Sequence, residues 1–202
     1  MKLADAVDLI RPAVRDGGTW ADLGAGKGLF SRALAEILGP KGRVVAVDRD
    51  RWALGVLAMR ARLQTGGAPI EVLAGDFREL EAISSLEGRT LDGALFANAL
   101  HFVAEAGSVL RRWAERLRDG SDLVVVEYDL ETANPWVPHP VSLDRLQTMA
   151  AEAGLPAPEE LGRRPSAYHG EIYCAVLPGR PVRRTTGQGW PRWPVPGHTS
   201  GS

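Results

Sequence analysis

One cysteine, Cys174, stands among 202 residues. It excludes an internal disulfide framework and any site built from several thiolates, and no metal centre is expected. Its setting, Glu171-Ile172-Tyr173-Cys174-Ala175-Val176-Leu177, predicts a buried strand residue rather than a reactive thiol. An excess of charge is missing too. Lysine and arginine number 24 against 25 acids, for a net charge of -1, so composition offers no argument for a polyanionic partner. Nucleic acid is therefore not the expected ligand. No apolar run approaches membrane-spanning length, which excludes a helical membrane anchor. Asp5 and Asp8 interrupt the apolar residues at the start, and no small-residue cleavage site follows a long apolar core. Without export or anchor signals, the expected location is the cytoplasm.

What is present is the composition of an ordinary globular domain, 45% hydrophobic and 24% charged. Residues 1–178 are read as that domain. Residues 179–202 are rich in glycine and proline, carry Arg180, Arg183, Arg184 and Arg192, and contain no acid. They bury too little to order themselves and are expected to form a disordered basic tail. Contact of Trp190 and Trp193 with nucleic acid or an acidic partner is the less favoured alternative. The sequence leaves the oligomeric state open.

The domain is organised around residues 19–30. Thr19-Trp20-Ala21-Asp22-Leu23 reads as a strand, Gly24-Ala25-Gly26-Lys27-Gly28 as a turn, and Leu29 onward as a helix ended by Gly39-Pro40. Glycines let the backbone turn sharply and let a ligand approach the main chain. Free amides at a helix start make such a turn a ligand site. A second strand, residues 42–48, ends in Asp48, 20 residues beyond Gly28, near where nucleotide-binding βαβ units place a ribose-gripping carboxylate. Further strands are predicted over 70–74, 91–98, 121–128, 160–165 and 170–178. Helices are predicted over 1–15, 51–64, 105–118 and 141–153. In the 51–64 helix, Trp52, Leu54, Val56, Leu57 and Met59 are read as the inner face; Leu117 is read as inward-facing on the helix over 105–118. The three prolines in 134–140 forbid helix or central strand there. The alternation indicates an α/β three-layer sandwich with a mostly parallel sheet.

The details of the turn choose among ligands. A dinucleotide fingerprint beginning at Gly24 needs glycine where Leu29 stands, and a P-loop needs Ser or Thr after Lys27, where Gly28 stands. Asp22 would repel a pyrophosphate but suits a ligand carrying an ammonium group. The pattern Asp22-x-Gly24-x-Gly26-x-Gly28, then Asp48, resembles the first two cofactor motifs of class I S-adenosylmethionine-dependent methyltransferases. The resemblance covers roughly residues 19–177. It implies a Rossmann-like, seven-stranded sheet closed by a C-terminal hairpin with one antiparallel strand.

It also implies roles. Gly24, Ala25, Gly26 and Gly28 would line the methionine part of S-adenosylmethionine, with Asp22 near its ammonium. Asp48 would accept from the ribose hydroxyls. Asp76 and the backbone of Phe77 would meet the adenine, with Arg49 or Trp52 packing on it, although Trp52 is read first as core. Asn98 would lie beside the methionine and methyl groups. His101 is the best-placed general base, against the reading of a packing histidine. Tyr128 and Trp136 are candidates for the acceptor side, joined by Glu127 and His139. Asn98-Ala99-Leu100-His101 is not the Asn-Pro-Pro-Tyr type sequence of nucleobase amino methylation, and one cysteine argues against arsenic methylation. A small or medium-sized metabolite is the expected acceptor. A nicotinamide-dependent oxidoreductase and a non-catalytic cofactor-binding module are the alternatives.

Overall fold

The computed structural model describes residues 1–79, 86, 88–166 and 170–178. The expected tail, 179–202, lies outside the described residues. Seven strands form one sheet: β1 (Gly18–Leu23), β2 (Gly42–Asp48), β3 (Ile70–Ala74), β4 (Leu91–Ala97), β5 (Leu117–Tyr128), β6 (Glu159–Pro165) and β7 (Glu171–Leu177). Their order is β3-β2-β1-β4-β5-β7-β6. The first five run parallel, and β7 inserts antiparallel between β5 and β6. The reversal of strand order between β1 and β4 opens a crevice at the carboxyl ends of those strands, the ordinary ligand position in open α/β sheets.

Successive side chains on a strand face opposite ways, so each central strand feeds two cores. Trp20, Val44, Leu95, Val124 and Cys174 pack under α1 (Leu3–Ile10) and α2 (Leu29–Leu38). Ala21, Val45, Phe96, Val125 and Tyr173 pack under α4 (Ala106–Ala114) and α5 (Leu143–Glu152). The third helix, α3 (Arg51–Leu63), sets Leu54 and Leu57 on Ala46, on the α1–α2 side. Burial on both faces explains why these strands read as continuous apolar runs. Cys174 is fully buried in β7, and burial pushes its thiol up to about 12.

Caps fix where helices begin. Asp50 Oδ1 accepts from the amides of Trp52 and Ala53, and Ser142 Oγ from that of Arg145. The first helix is shorter than expected; a 3₁₀ turn, Arg11–Ala13, follows it at Pro12. The fourth also ends early, at Ala114. Leu117, expected on that helix, instead opens β5 opposite Leu91, and the strand then passes a bulge before regaining register at Asp122 and Gly93. The inward reading of α3 is corrected at two positions. Trp52 is 66% exposed and Met59 59%, because only the Leu54–Leu57 stripe of this edge helix meets the sheet.

Candidate active site

The parity of β1 decides the site. Asp22 is directed to the α2 side of the sheet, where only 1% of it remains exposed. Its Oδ2 accepts from Ser31 Oγ in the first turn of α2, while Oδ1 is buried without a partner. Burial, with a smaller contribution from the neighbouring Asp48, raises this carboxyl to about 7. A buried acidic oxygen with no donor is costly unless something outside the described residues meets it.

The glycine turn follows. The amides of Gly24 and Ala25 both donate to the carbonyl of Val47, which ties the turn to β2. Gly24, Gly26 and Gly28 all have positive φ. A Cβ on Gly24 would lie 2.6 Å from that of Ala99, and one on Gly28 would lie 2.1 Å from Leu57 Cδ1. At Gly26 a Cβ would meet nothing within 4 Å, so the backbone there faces open space. Asp48 closes the turn from the side: Oδ2 accepts from the Gly26 amide at 2.7 Å and Oδ1 from that of Asp50 at 2.8 Å.

Asp76 lies after β3, with its carboxylate gripped by the Arg78 guanidinium, which holds it below the usual carboxylate range. Arg49 approaches the same carboxylate at 4.0 Å and is largely exposed. Phe77 packs edge-on against Phe96, touches the Gly24 position, and offers its carbonyl to Trp113 Nε1 at 2.9 Å. Trp52 lies on the outer surface of α3, with Lys27 Nζ 4.7 Å from the centre of its ring.

After β4, Asn98 adopts φ 51, a left-handed conformation that asparagine tolerates better than most residues. Its backbone N–H donates to the Val126 carbonyl, and its Oδ1 is buried without a partner among the described residues. The chain then makes a 3₁₀ turn, Leu100–Phe102. Glu127, near the end of β5 and fully buried, holds that turn. Its Oε1 accepts from the amides of Ala99, Leu100 and His101, and its Oε2 lies 2.7 Å from His101 Nδ1. His101 is 3% exposed, and its carbonyl accepts from the His139 amide. A cavity of about 420 Å³ adjoins this region on the α1–α2 side, walled by Asp5, Phe30, Asn98, Tyr128, Arg164 and Ile172 among others.

Residues 21–120 match the family model of the methyltransferase domain. The chain belongs to the class I S-adenosylmethionine-dependent methyltransferases. Over 84 residues it is 39% identical to the ribosomal RNA small subunit methyltransferase H of Trichlorobacter lovleyi, covering 41% of this chain and 26% of that protein. The chain thus spans about a quarter of the length of that curated relative. Among solved structures, the arsenic(III) S-adenosylmethionine methyltransferase of Chlamydomonas reinhardtii superposes with a TM-score of 0.68 at 20% identity, covering 85% of this chain and 66% of that one. Fibrillarin of Aeropyrum pernix, solved with natively bound S-adenosyl-L-methionine, gives 0.61 at 20% identity, covering 86% and 74%. At such identity these two likenesses show the fold alone.

For a class I methyltransferase the expected strand-tip residues do converge. Asp22, the glycine turn, Asp48, Phe77 and the Asn98–His101 turn are linked by direct contacts or by the hydrogen bonds above. Trp136 is not drawn in: it is 80% exposed on the 132–140 connector, and its recorded hydrogen bond is backbone to Asn134. Ser31 and Arg78 were missed. Ser31 had a sequence signal, a hydroxyl in the first turn of α2 following a carboxylate strand tip. Arg78 had none beyond proximity to Asp76. Among the described residues no group of His, Cys, Asp or Glu could hold a metal, and no helix is long and apolar enough to cross a membrane.

Proposed function

We propose that this chain transfers the methyl group of S-adenosylmethionine to a small or medium-sized metabolite by in-line displacement. The observation that carries the reading is Asp22 Oδ1, an orphaned carboxylate oxygen buried beside a glycine turn whose Gly26 backbone faces open space. An ammonium-bearing ligand satisfies that oxygen and a pyrophosphate does not. The cofactor supplies an electrophilic methyl on a sulfonium, a good leaving group.

Around that anchor the chain's own residues divide the work. Gly24, Ala25, Gly26 and Gly28 shape the surface against which the cofactor's amino-acid end rests. Asp48, already oriented by the Gly26 and Asp50 amides, keeps further lone pairs for a ribose diol. Asp76 and the Phe77 backbone flank the base, with Arg49 at the outer edge. Asn98 offers its unpartnered Oδ1 next to the reacting end. Tyr128 lines the adjoining cavity, whose volume suits a metabolite, and Trp136, exposed on the connector, is left out of the acceptor site. His101 takes the acceptor's proton where one must leave. Alignment of the acceptor supplies much of the rate, an effect worth up to about 7–11 kcal/mol.

Calorimetry with S-adenosylmethionine, S-adenosylhomocysteine and NAD tests the cofactor. Binding of NAD alone turns the reading towards an oxidoreductase. Labelled methyl transfer into a metabolite extract, with cellular RNA as a parallel substrate, tests the acceptor class. Binding without transfer to either leaves a non-catalytic module. Transfer to RNA alone moves the acceptor to the class that the ribosomal RNA relative's name describes.

A further inference from the structure

Glu127 is a carboxylate with no exposed surface, yet among the described residues it is neither paired with a lysine or arginine nor placed at the cofactor turn. Its two oxygens do different things. Oε1 gathers three consecutive main-chain amides, at 2.9, 2.8 and 3.3 Å, from Ala99, Leu100 and His101. That fixes the backbone leaving Asn98 and presses Ala99 onto the bare Cα of Gly24. Oε2 stands 2.7 Å from His101 Nδ1. A carboxylate can only accept there, so Nδ1 must carry a proton. In a neutral imidazole the lone pair then sits on Nε2. Among the described residues Nε2 has no hydrogen-bond partner, and it is not one of the two orphaned buried atoms, Asp22 Oδ1 and Asn98 Oδ1. Among the described residues that lone pair is the ring's uncommitted acceptor.

We propose that Glu127 is the positioning residue of this site: it locks His101 in the Nδ1–H tautomer and thereby presents Nε2 as a base to an acceptor that arrives as a hydroxyl. This rests on the methyl-transfer reading above. An acceptor with a free lone pair, such as a tertiary amine or an ionised carboxylate, has no proton to lose and no use for such a base. With a hydroxyl acceptor the balance is complete. The oxygen forms a bond to the methyl carbon, the carbon–sulfur bond breaks with its electron pair staying on sulfur, and the hydroxyl proton passes to Nε2. The positive charge of the sulfonium ends as the charge of the imidazolium, which Glu127 faces directly.

The tautomer is measurable on the ligand-free protein. In protein labelled with ¹⁵N-histidine, long-range ¹H–¹⁵N correlation spectra distinguish a protonated ring nitrogen from a bare one, and the spectrum of His101→Gln assigns the signal. Above the pH at which the ring is neutral, His101 is expected to show a protonated Nδ1 and a bare Nε2. Glu127→Gln turns an amide N–H towards Nδ1 and is expected to move the proton to Nε2. A wild-type His101 protonated on Nε2 overturns the proposal, even if the Glu127 variant fails to fold. A folded Glu127→Gln with an unchanged tautomer overturns it as well. The labelled-transfer experiment gives the chemical readout. A methyl ether supports a proton-removing site, and a product methylated on a free lone pair overturns it. No transfer to any acceptor counts against the methyl-transfer reading instead and leaves the tautomer to decide.

Discussion

Ser31 Oγ donates to Asp22 Oδ2 across 2.5 Å, and the other oxygen of the same carboxylate has no hydrogen-bond partner among the described residues. One hydrogen bond does not compensate a fully buried charge, so desolvation lifts Asp22 to about 7 from an ordinary 3.8. A carboxyl raised on folding favours the protonated native state. Its stabilising contribution is fully present below the unfolded value and is lost as pH rises through about 7. The ligand-free protein is therefore expected to lose stability between pH 5 and pH 8, by about 2.5 kcal/mol from this group. Glu71 and Asp76 are held low by arginines, and Asp129 by the Leu143 amide and Arg163; all three act in the opposite sense, but in the acid range below that window. Urea unfolding at pH 5 and pH 8 checks the slope, and Asp22→Asn should flatten it.

The same substitution should cut the other way on binding. Asp22→Asn removes the charge proposed to meet the ammonium, so affinity for S-adenosylmethionine should fall by about 1.5–3 kcal/mol at pH 8 while the free protein becomes more stable. A variant that binds as tightly as the parent would remove the ammonium assignment.

Asp48 carries two jobs that separate in experiment. Asp48→Ala frees the amides of Gly26 and Asp50, which should cost about 1 kcal/mol of stability. The loss of the proposed ribose acceptor should weaken cofactor binding by about a further 1.5–3 kcal/mol. Thermal melts and calorimetry read the two separately, and a purely structural Asp48 would show only the first.

Gly24 and Gly26 offer a paired test of the turn. Alanine at either position carries a left-handed strain of about 1–2 kcal/mol. At Gly24 the new methyl also collides with Ala99, at 2.6 Å, so Gly24→Ala should lower the melting temperature well beyond Gly26→Ala. Gly26→Ala adds its methyl to open space. It should remain folded yet lose cofactor affinity by more than its loss of stability, because the methyl projects where the ligand is proposed to lie.

The strand tips were legible because a parallel sheet writes each strand as a run ending in a marked residue: Asp22 and Asp48 end β1 and β2, and Asn98 directly follows β4. The antiparallel β7 was implied by the family resemblance rather than by the alternation, and the order of the strands in the sheet was not legible. Partnerships across the crevice were not legible. Nothing in the spacing of Asn98, His101 and Glu127 says that one carboxylate collects three amides and an imidazole, since that depends on the depth of β5 relative to the turn after β4. Trp52 misled for the opposite reason. An indole at helical spacing reads as core, but α3 packs at the sheet edge and leaves it out.

His101 supplies the sharpest test of the proposed chemistry, because its surroundings predict different outcomes for two substitutions. His101→Ala leaves Glu127 Oε2 buried without its donor, which should cost about 1–3 kcal/mol of stability as well as activity. A fall in turnover in that variant would not by itself identify a base. His101→Gln retains an amide donor able to reach Glu127, so the fold and the Ala99–Gly24 contact should survive. What the amide cannot do is accept a proton. If His101 is the base, turnover in His101→Gln should fall by roughly 10²–10⁴ with the affinity for S-adenosylmethionine nearly unchanged. If His101→Gln turns over like the parent, proton removal is not the task of this residue. Alignment of the acceptor against the methyl group then carries the reaction, and the buried dyad serves the fold.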